Sequence, residues 1–234
     1  MKKKIKYIVF TMSATRRAGG LFNSVRNLSE ELCKYFEVSV IAGEDEYEVS
    51  DLYQWKNLPL TLIKKWKPYS FGFMPSAVSK ILSNNPDVLH CHGIWSFNAF
   101  ACLLVKKIRT RVVLVVSPRG MLDKWAVQNS YLKKFIARKI YVNSLIKSSN
   151  IVHALCSSES ESILKYFPSA NVVISPNGIS ELPLLKESST KDLNKLTIGY
   201  IGRIHHKKGL ENAISAIVGL DNVVFKIDDH SSSP

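Results

Sequence analysis

Asp87-Val-Leu-His-Cys-His-Gly-Ile-Trp95 is a strand giving way to a loop, and the architecture of the whole chain can be read outward from it. Asp87–Cys91 is an apolar run of strand length. Phe97–Ile108 keeps helical spacing, and Arg111–Val116 is a valine-rich second strand. Strand, helix and strand within about thirty residues make a right-handed crossover unit of a parallel sheet. The same alternation extends in both directions. Upstream, Ile5–Thr11 predicts a strand, about Leu21–Tyr35 an amphipathic helix on Leu21, Val25, Leu28 and Leu32, and Val38–Ala42 a second strand. Residues 44–75, with Trp55, Pro59, Trp66, Pro68 and Pro75, read as an irregular excursion, and Ser76–Leu82 as a short helix. Downstream come a long basic helix from about Tyr131 to Lys147, a strand at Ile151–Ala154, a helix at Glu159–Tyr166 and a strand at Val172–Ser175. Ser157 or Ser158 can cap that last helix, with Glu161 near its first turn. Near-continuous apolar strands alternating with helices imply an α/β fold, a Rossmann-like parallel sheet covered on both faces.

Residues 1–178 are therefore read as one Rossmann-like domain. Residues 179–195 are polar and aperiodic, as a linker is. Residues 196–234 hold a single strand–helix–strand unit, Leu196–Ile201, Leu210–Val218 and Val223–Ile227, an incomplete second Rossmann-like domain.

The 234 residues are 46% hydrophobic and 22% charged, which excludes a disordered or low-complexity chain. No run reaches the roughly 20 apolar residues of a membrane helix, and the apolar stretch behind Met1-Lys-Lys-Lys is too short for a signal peptide. A cytoplasmic protein is expected. Cys33, Cys91, Cys102 and Cys156 form no C-x-x-C pair, so they are expected as reduced, core-packing residues. The net charge is +13, concentrated before residue 196 and densest over 106–139, where Asp123 is the one acid. Such a region attracts phosphates, anionic lipid or nucleic acid. Aromatics are not interleaved with the bases in a recognition pattern, and no helix-turn-helix or zinc finger is present, so nucleic acid is not an expected partner.

Ligands of an open parallel sheet bind beyond the carboxyl ends of its strands, which directs attention to five loops. Gly19-Gly20 precedes a helix and suits either a tight turn or an anion-binding loop. In His90-Cys-His-Gly-Ile-Trp95, His90 and His92 point to the same side of a strand, but no further metal ligand is evident, so no metal site is expected. His92 is either structural or catalytic. In Ser117-Pro-Arg-Gly-Met-Leu-Asp123, Arg119 brings a rigid donor fork, and Asp123 either pairs with a neighbouring cation or acts as a base toward a hydroxyl. Pro176-Asn-Gly178 is a turn at a strand end. In Gly202-Arg-Ile-His-His-Lys-Lys-Gly209, Arg203 and Lys208 precede a helix and make a diphosphate clamp.

In order and spacing these loops resemble family 4 of the retaining glycosyltransferases, enzymes with two Rossmann-like domains (GT-B architecture). The Ser-Pro-Arg-Gly-Met-Leu-Asp stretch is similar to that of bacterial enzymes of surface-polysaccharide assembly. The resemblance implies a first domain for the acceptor and a second for a nucleotide sugar, with transfer of a hexosyl group to a lipopolysaccharide, capsule or exopolysaccharide acceptor, lipid-linked or saccharide. It places Arg203 and Lys208 on the donor diphosphate, where they stabilise charge on the leaving nucleotide. It places Gly19 and Gly20 on the loop facing that diphosphate, Asn177 and Gly178 where the chain leaves the first domain, and His92, Trp95 and Arg119 on the acceptor side. Asp123 joins Arg203 and Lys208 as a catalytic candidate. Many members carry His where this chain has Arg119. No cofactor and no metal are implied. A later family motif of two Glu separated by seven residues is not reached by Pro234, so the expectation is a truncated donor domain with impaired transfer. The alternative is a non-catalytic module that binds a membrane or a polysaccharide precursor. An anionic membrane surface on the inner face of the cell membrane is a further expected partner.

Overall fold

Branched and aromatic residues at Lys6–Phe10 (β1) form the strand around which the sheet is built. Ile8 and Phe10 pack on one face and Val9 on the other, all at 1% exposure or less, as a doubly covered strand requires. The computed structural model describes residues 4–47, 51–178, 196–202, 204 and 208–228. The chain divides into two compact units, 1–179 and 180–234.

In the first unit β1 leads to α1 (Gly20–Leu32), β2 (Glu37–Gly43) and β3 (Leu60–Ile63). Next come α2 (Ser76–Asn84), β4 (Val88–His92), α3 (Phe97–Ile108), β5 (Val113–Ser117), α4 (Lys124–Gln128) and α5 (Tyr131–Ala137). A π-helical turn at Arg138–Val142 joins α5 to α6 (Asn143–Ser148), and β6 (Ile151–Ala154), α7 (Ser157–Tyr166) and β7 (Val172–Ile174) complete the unit. The strand order is β3-β2-β1-β4-β5-β6-β7, with every neighbouring pair parallel. The chain winds one way from β1 through β3 and the other way from β4 through β7. The switch lies between β1 and β4, where the flanking loops diverge and leave a crevice.

Residues 44–75 are not simply irregular: they carry β3. That strand has four residues, comes directly after Pro59 and lies at the sheet edge, too short for alternation to show. The crossover before it makes a short 3-10 turn at Leu52–Trp55, and its buried Trp55 donates its indole N–H to the Ala14 carbonyl at 2.7 Å. The basic helix predicted over 131–147 is α5, the π-helical turn and α6 in series. The cap of α7 also differs from expectation. Cys156, not a serine, precedes the helix, and Glu159 rather than Glu161 is the acid of its first turn. Cys91 and Cys102 are buried as expected, whereas Cys156 is exposed.

The second unit shows β8 (Leu196–Ile201), α8 (Leu210–Ile217) and β9 (Val223–Asp228), with β8 and β9 parallel. Gly209, at φ 66°, starts α8. Among the described residues, no helix is long and apolar enough to cross a membrane.

Candidate active site

The crevice at the switch is a cleft of about 760 Å³ at the carboxyl ends of β1 to β4. Its walls carry three bases, Arg17, Lys64 and Lys65, and three consecutive acids, Glu44, Asp45 and Glu46. Strong basicity is therefore not a property of this cleft; donors and acceptors are mixed, which suits a polyhydroxylated ligand. The loop after β1 is held rigidly. Asp45 accepts from the Ser13 and Thr15 hydroxyls at 2.6 and 2.7 Å. The buried Asp51 carboxylate takes the Arg16 guanidinium at 2.6 Å and the Arg16 backbone N–H at 2.7 Å. Gly19, at φ 59°, then turns the chain into α1. Ala18 and Leu21, on either side of Gly19 and Gly20, line the cleft. A Cβ on Gly20 would meet nothing within 4 Å.

Behind the cleft, four strands contribute one continuous polar row. Tyr7 on β1 lies 2.9 Å from His90 Nδ1 on β4; His90 Nε2 lies 2.7 Å from Ser117 Oγ on β5; Ser117 Oγ lies 2.8 Å from His153 Nδ1 on β6. His153 Nε2 ends the row 2.8 Å from the Ser175 carbonyl oxygen. A carbonyl only accepts, and with both imidazoles held neutral by burial this fixes every hydrogen. His153 donates from Nε2, Ser117 donates to His153, His90 donates from Nε2 to Ser117, and Tyr7 donates to His90. Both imidazoles are neutral Nε2–H tautomers. Burial lowers the pKa of His90 well below 6.5, and that of His153 in the same direction.

His92 stacks on His90 with ring centroids 4.1 Å apart, as the period of two predicts. Arg119 Nε donates to His92 Nδ1 at 3.2 Å, so neutral His92 carries its proton on Nε2. That Nε2–H is buried, has no hydrogen-bond partner among the described residues, and belongs to a residue lining the cleft. Burial, then the neighbouring His90 and Arg119, push the His92 pKa well below 6.5. Neutral His92 therefore has only a donor to offer, at Nε2, because its one lone pair is occupied at Nδ1 by Arg119.

Arg119 sits at φ 58°, a conformation sparsely used by side-chain-bearing residues. Three contacts hold the loop there. Arg119 Nη1 donates to Asn177 Oδ1 at 2.7 Å. Glu159, 5% exposed, accepts from the Gly120 N–H at 2.6 Å and the Leu155 N–H at 2.7 Å, tying the loop to the start of α7. Gly93, at φ 89°, brings β4's end beside Met121: a Cβ there would lie 3.0 Å from Met121 Cε. Burial lowers the Arg119 pKa to about 10, with Glu159 opposing, and Nη2 has no partner among the described residues.

The structure thus brings His92, Arg119 and Asn177 together. Trp95 lines a neighbouring groove rather than the cleft and donates its indole N–H to the Met121 carbonyl at 3.1 Å. Of the two roles open to Asp123, the pairing one is not seen: it forms no ion pair with an Arg or Lys among the described residues. Its backbone carbonyl starts α4 by accepting from Val127, and its carboxylate lies over Gly120. Gly178 is exposed, as is Lys208, which precedes Gly209 and α8. Arg203 and the linker 179–195 lie outside the described residues. Tyr7, His90, Ser117, His153 and Glu159 were not singled out from the sequence as site residues. The signal available was a polar residue near the carboxyl end of each of β4, β5 and β6. No group of three or more His, Cys, Asp or Glu is arranged to hold a metal among the described residues.

A parallel sheet in the order 3-2-1-4-5-6-7, with its polar cluster beside the switch, defines a Rossmann-like domain. Residues 18–181 match the model of Glycosyltransferase Family 4, and the chain belongs to that family. No curated protein sequence matches it. Among solved structures it is similar in fold to the lipopolysaccharide outer core galactosyltransferase WaaB in its apo form, at 11% identity and a TM-score of 0.62, covering 95% of this chain and 60% of that one. It is also similar to a UDP-N-acetylglucosamine 2-epimerase from Listeria monocytogenes (14%, TM-score 0.58, 98% and 64%). The enzyme of that name from Neisseria meningitidis, solved bound to UDP-GlcNAc, is comparable (14%, TM-score 0.57, 98% and 66%). The chain spans 60–66% of the length of these three structures.

Proposed function

We propose that the protein takes part in transfer of a hexosyl group from a nucleotide sugar to a surface-polysaccharide acceptor in the cytoplasm, at the inner face of the cell membrane. The observation that carries this reading is the cleft at the switch point. It holds mixed charges for a sugar's hydroxyls and has on its wall a buried donor, His92 Nε2–H, with no partner among the described residues. In this reading the first unit receives the acceptor, and His92, oriented by Arg119, donates to one of its oxygens. Arg119 Nη2 adds fixed positive charge where charge develops during transfer. Arg203 and Lys208 of the second unit hold the donor diphosphate, and the α1 N-terminus after Gly19-Gly20 offers its free N–H groups to an anion. The chemistry proposed needs neither cofactor nor metal. Basic α5, with Lys133 and Lys134, supports residence at an anionic membrane surface.

The test is incubation of the chain with a panel of nucleotide sugars and a bacterial lipid extract, measuring release of nucleoside diphosphate. Slow, acceptor-dependent release from one sugar, lost in the Lys208→Ala variant, is the expected result. Binding of acceptor with no nucleotide binding by calorimetry and no release would replace this reading with the non-catalytic module. Absence of all binding would end both.

A further inference from the structure

Beside the cleft lies a second cavity, a groove of about 570 Å³. This is within the roughly 300–1,000 Å³ typical of small-ligand sites. Its walls are aromatic: Phe71, Phe73, Phe97 and Phe100 meet edge to face or tilted, with centroids 5.1–5.9 Å apart along the series, and Tyr141 closes it 5.9 Å from Phe100. Ile136 and Ile140 stand over it at 48% and 66% exposure. Apolar side chains left in water at a groove of this size mark a binding surface. The groove is not uniformly apolar. Lys133 and Lys134 line it, no acid does, and the Lys134 ammonium lies 5.8 Å from the centre of the Trp95 ring. The Tyr141 hydroxyl, on a residue 4% exposed, has no hydrogen-bond partner among the described residues.

The groove opens toward the cleft. Ser70 lines both, and Trp95 lines the groove while its neighbour Ser96 lines the cleft. An occupant needs a hydrocarbon body for the phenylalanines, negative charge for two lysines, an acceptor oxygen for Tyr141, and a continuation that reaches the cleft. We infer that the groove holds the hydrocarbon chain of a single lipid phosphate, its phosphate on Lys133 and Lys134, so that a sugar carried on that phosphate enters the cleft at His92. This deepens the transferase reading and rests on it, by naming the acceptor as a lipid-linked phosphate rather than a free saccharide.

The experiment titrates the full chain with farnesyl phosphate below its micelle concentration, using tryptophan fluorescence and calorimetry. Inorganic phosphate, farnesol and phosphatidylglycerol vesicles form parallel arms. Farnesyl phosphate is expected to bind at least tenfold more tightly than either inorganic phosphate or farnesol. Ile140→Asp and Lys133→Glu, both at exposed positions and checked for native circular dichroism, should each weaken it at least tenfold. The inference is overturned if farnesyl phosphate binds no better than inorganic phosphate, if both variants bind normally, or if only vesicles bind, which would make the groove a bilayer contact. A chain that binds nucleotide sugar but not farnesyl phosphate keeps the transferase reading and loses this one. Binding of farnesyl phosphate without nucleotide sugar does the reverse.

Discussion

Acidification from pH 7.5 to 5.0 should destabilise the first unit strongly, and the buried histidines set the amount. His90 and His92 are both buried, and burial holds both pKa values well below the ordinary 6.5. The sign comes from proton counting. Below pH 6.5 the unfolded chain binds a proton at each imidazole while the native state does not, so stability is complete above pH 6.5 and falls as pH drops toward the native pKa. One pH unit is worth about 1.4 kcal/mol per site. At pH 5.0, about 1.5 units below the unfolded value, each histidine costs up to about 2 kcal/mol and the pair up to about 4. His153, shifted the same way, adds to this. The loss is a large part of the roughly 5–15 kcal/mol that holds a domain together. Urea unfolding monitored by tryptophan fluorescence reads it cleanly, since Trp55, Trp66, Trp95 and Trp125 all lie in the first unit. A stability that changes by less than about 1 kcal/mol over this range would refute the neutral-tautomer assignment. So would ring NMR signals assigned to His90 or His92 that titrate near pH 6.5.

Ser117→Ala removes the link between His90 Nε2–H and His153 Nδ1 and leaves both without it. At about 1–3 kcal/mol for each of the two stranded groups, the unfolding free energy should drop by about 2–6 kcal/mol at pH 7.5. Gly93→Ala forces a side chain into φ 89° with its Cβ 3.0 Å from Met121 Cε, and should lower stability by at least about 1–2 kcal/mol in the same assay. Arg119→Lys keeps the charge but cannot reach His92 and Asn177 as a fork. Nucleoside diphosphate release should fall by about 10- to 100-fold, chiefly in kcat, with melting temperature little changed.

The fold was legible because its signals are repetitive. Each strand of the first unit except β3 is a visible apolar run, and each long helix keeps its spacing. β3 was hidden because four residues beside a proline carry no period. The site was legible only in part. Gly93 and Arg119 advertise loops at strand ends, and His92 is exposed to inference by its two-residue spacing from His90. Glu159 escaped notice because its task is tertiary. Its carboxylate serves the Gly120 N–H, on a loop 39 residues earlier, and no local pattern encodes that distance. Asp123 illustrates the converse: an acid among bases invites pairing, yet local backbone geometry made it a helix opener.

Ser175 and Asn177 stand two residues apart at the end of β7, and each terminates a different line of contacts: the carbonyl of one orients the imidazole row, the amide of the other anchors Arg119. A twist of this one short segment would act like a railway point. Turning the carbonyl away removes the acceptor that makes the row run in its present direction, so Tyr7, at the opposite end of the row on β1, could reverse from giving to receiving. The same twist releases the guanidinium. Whatever grips residues 175–177 therefore holds the far end of the row and the charge beside the cleft on a single handle.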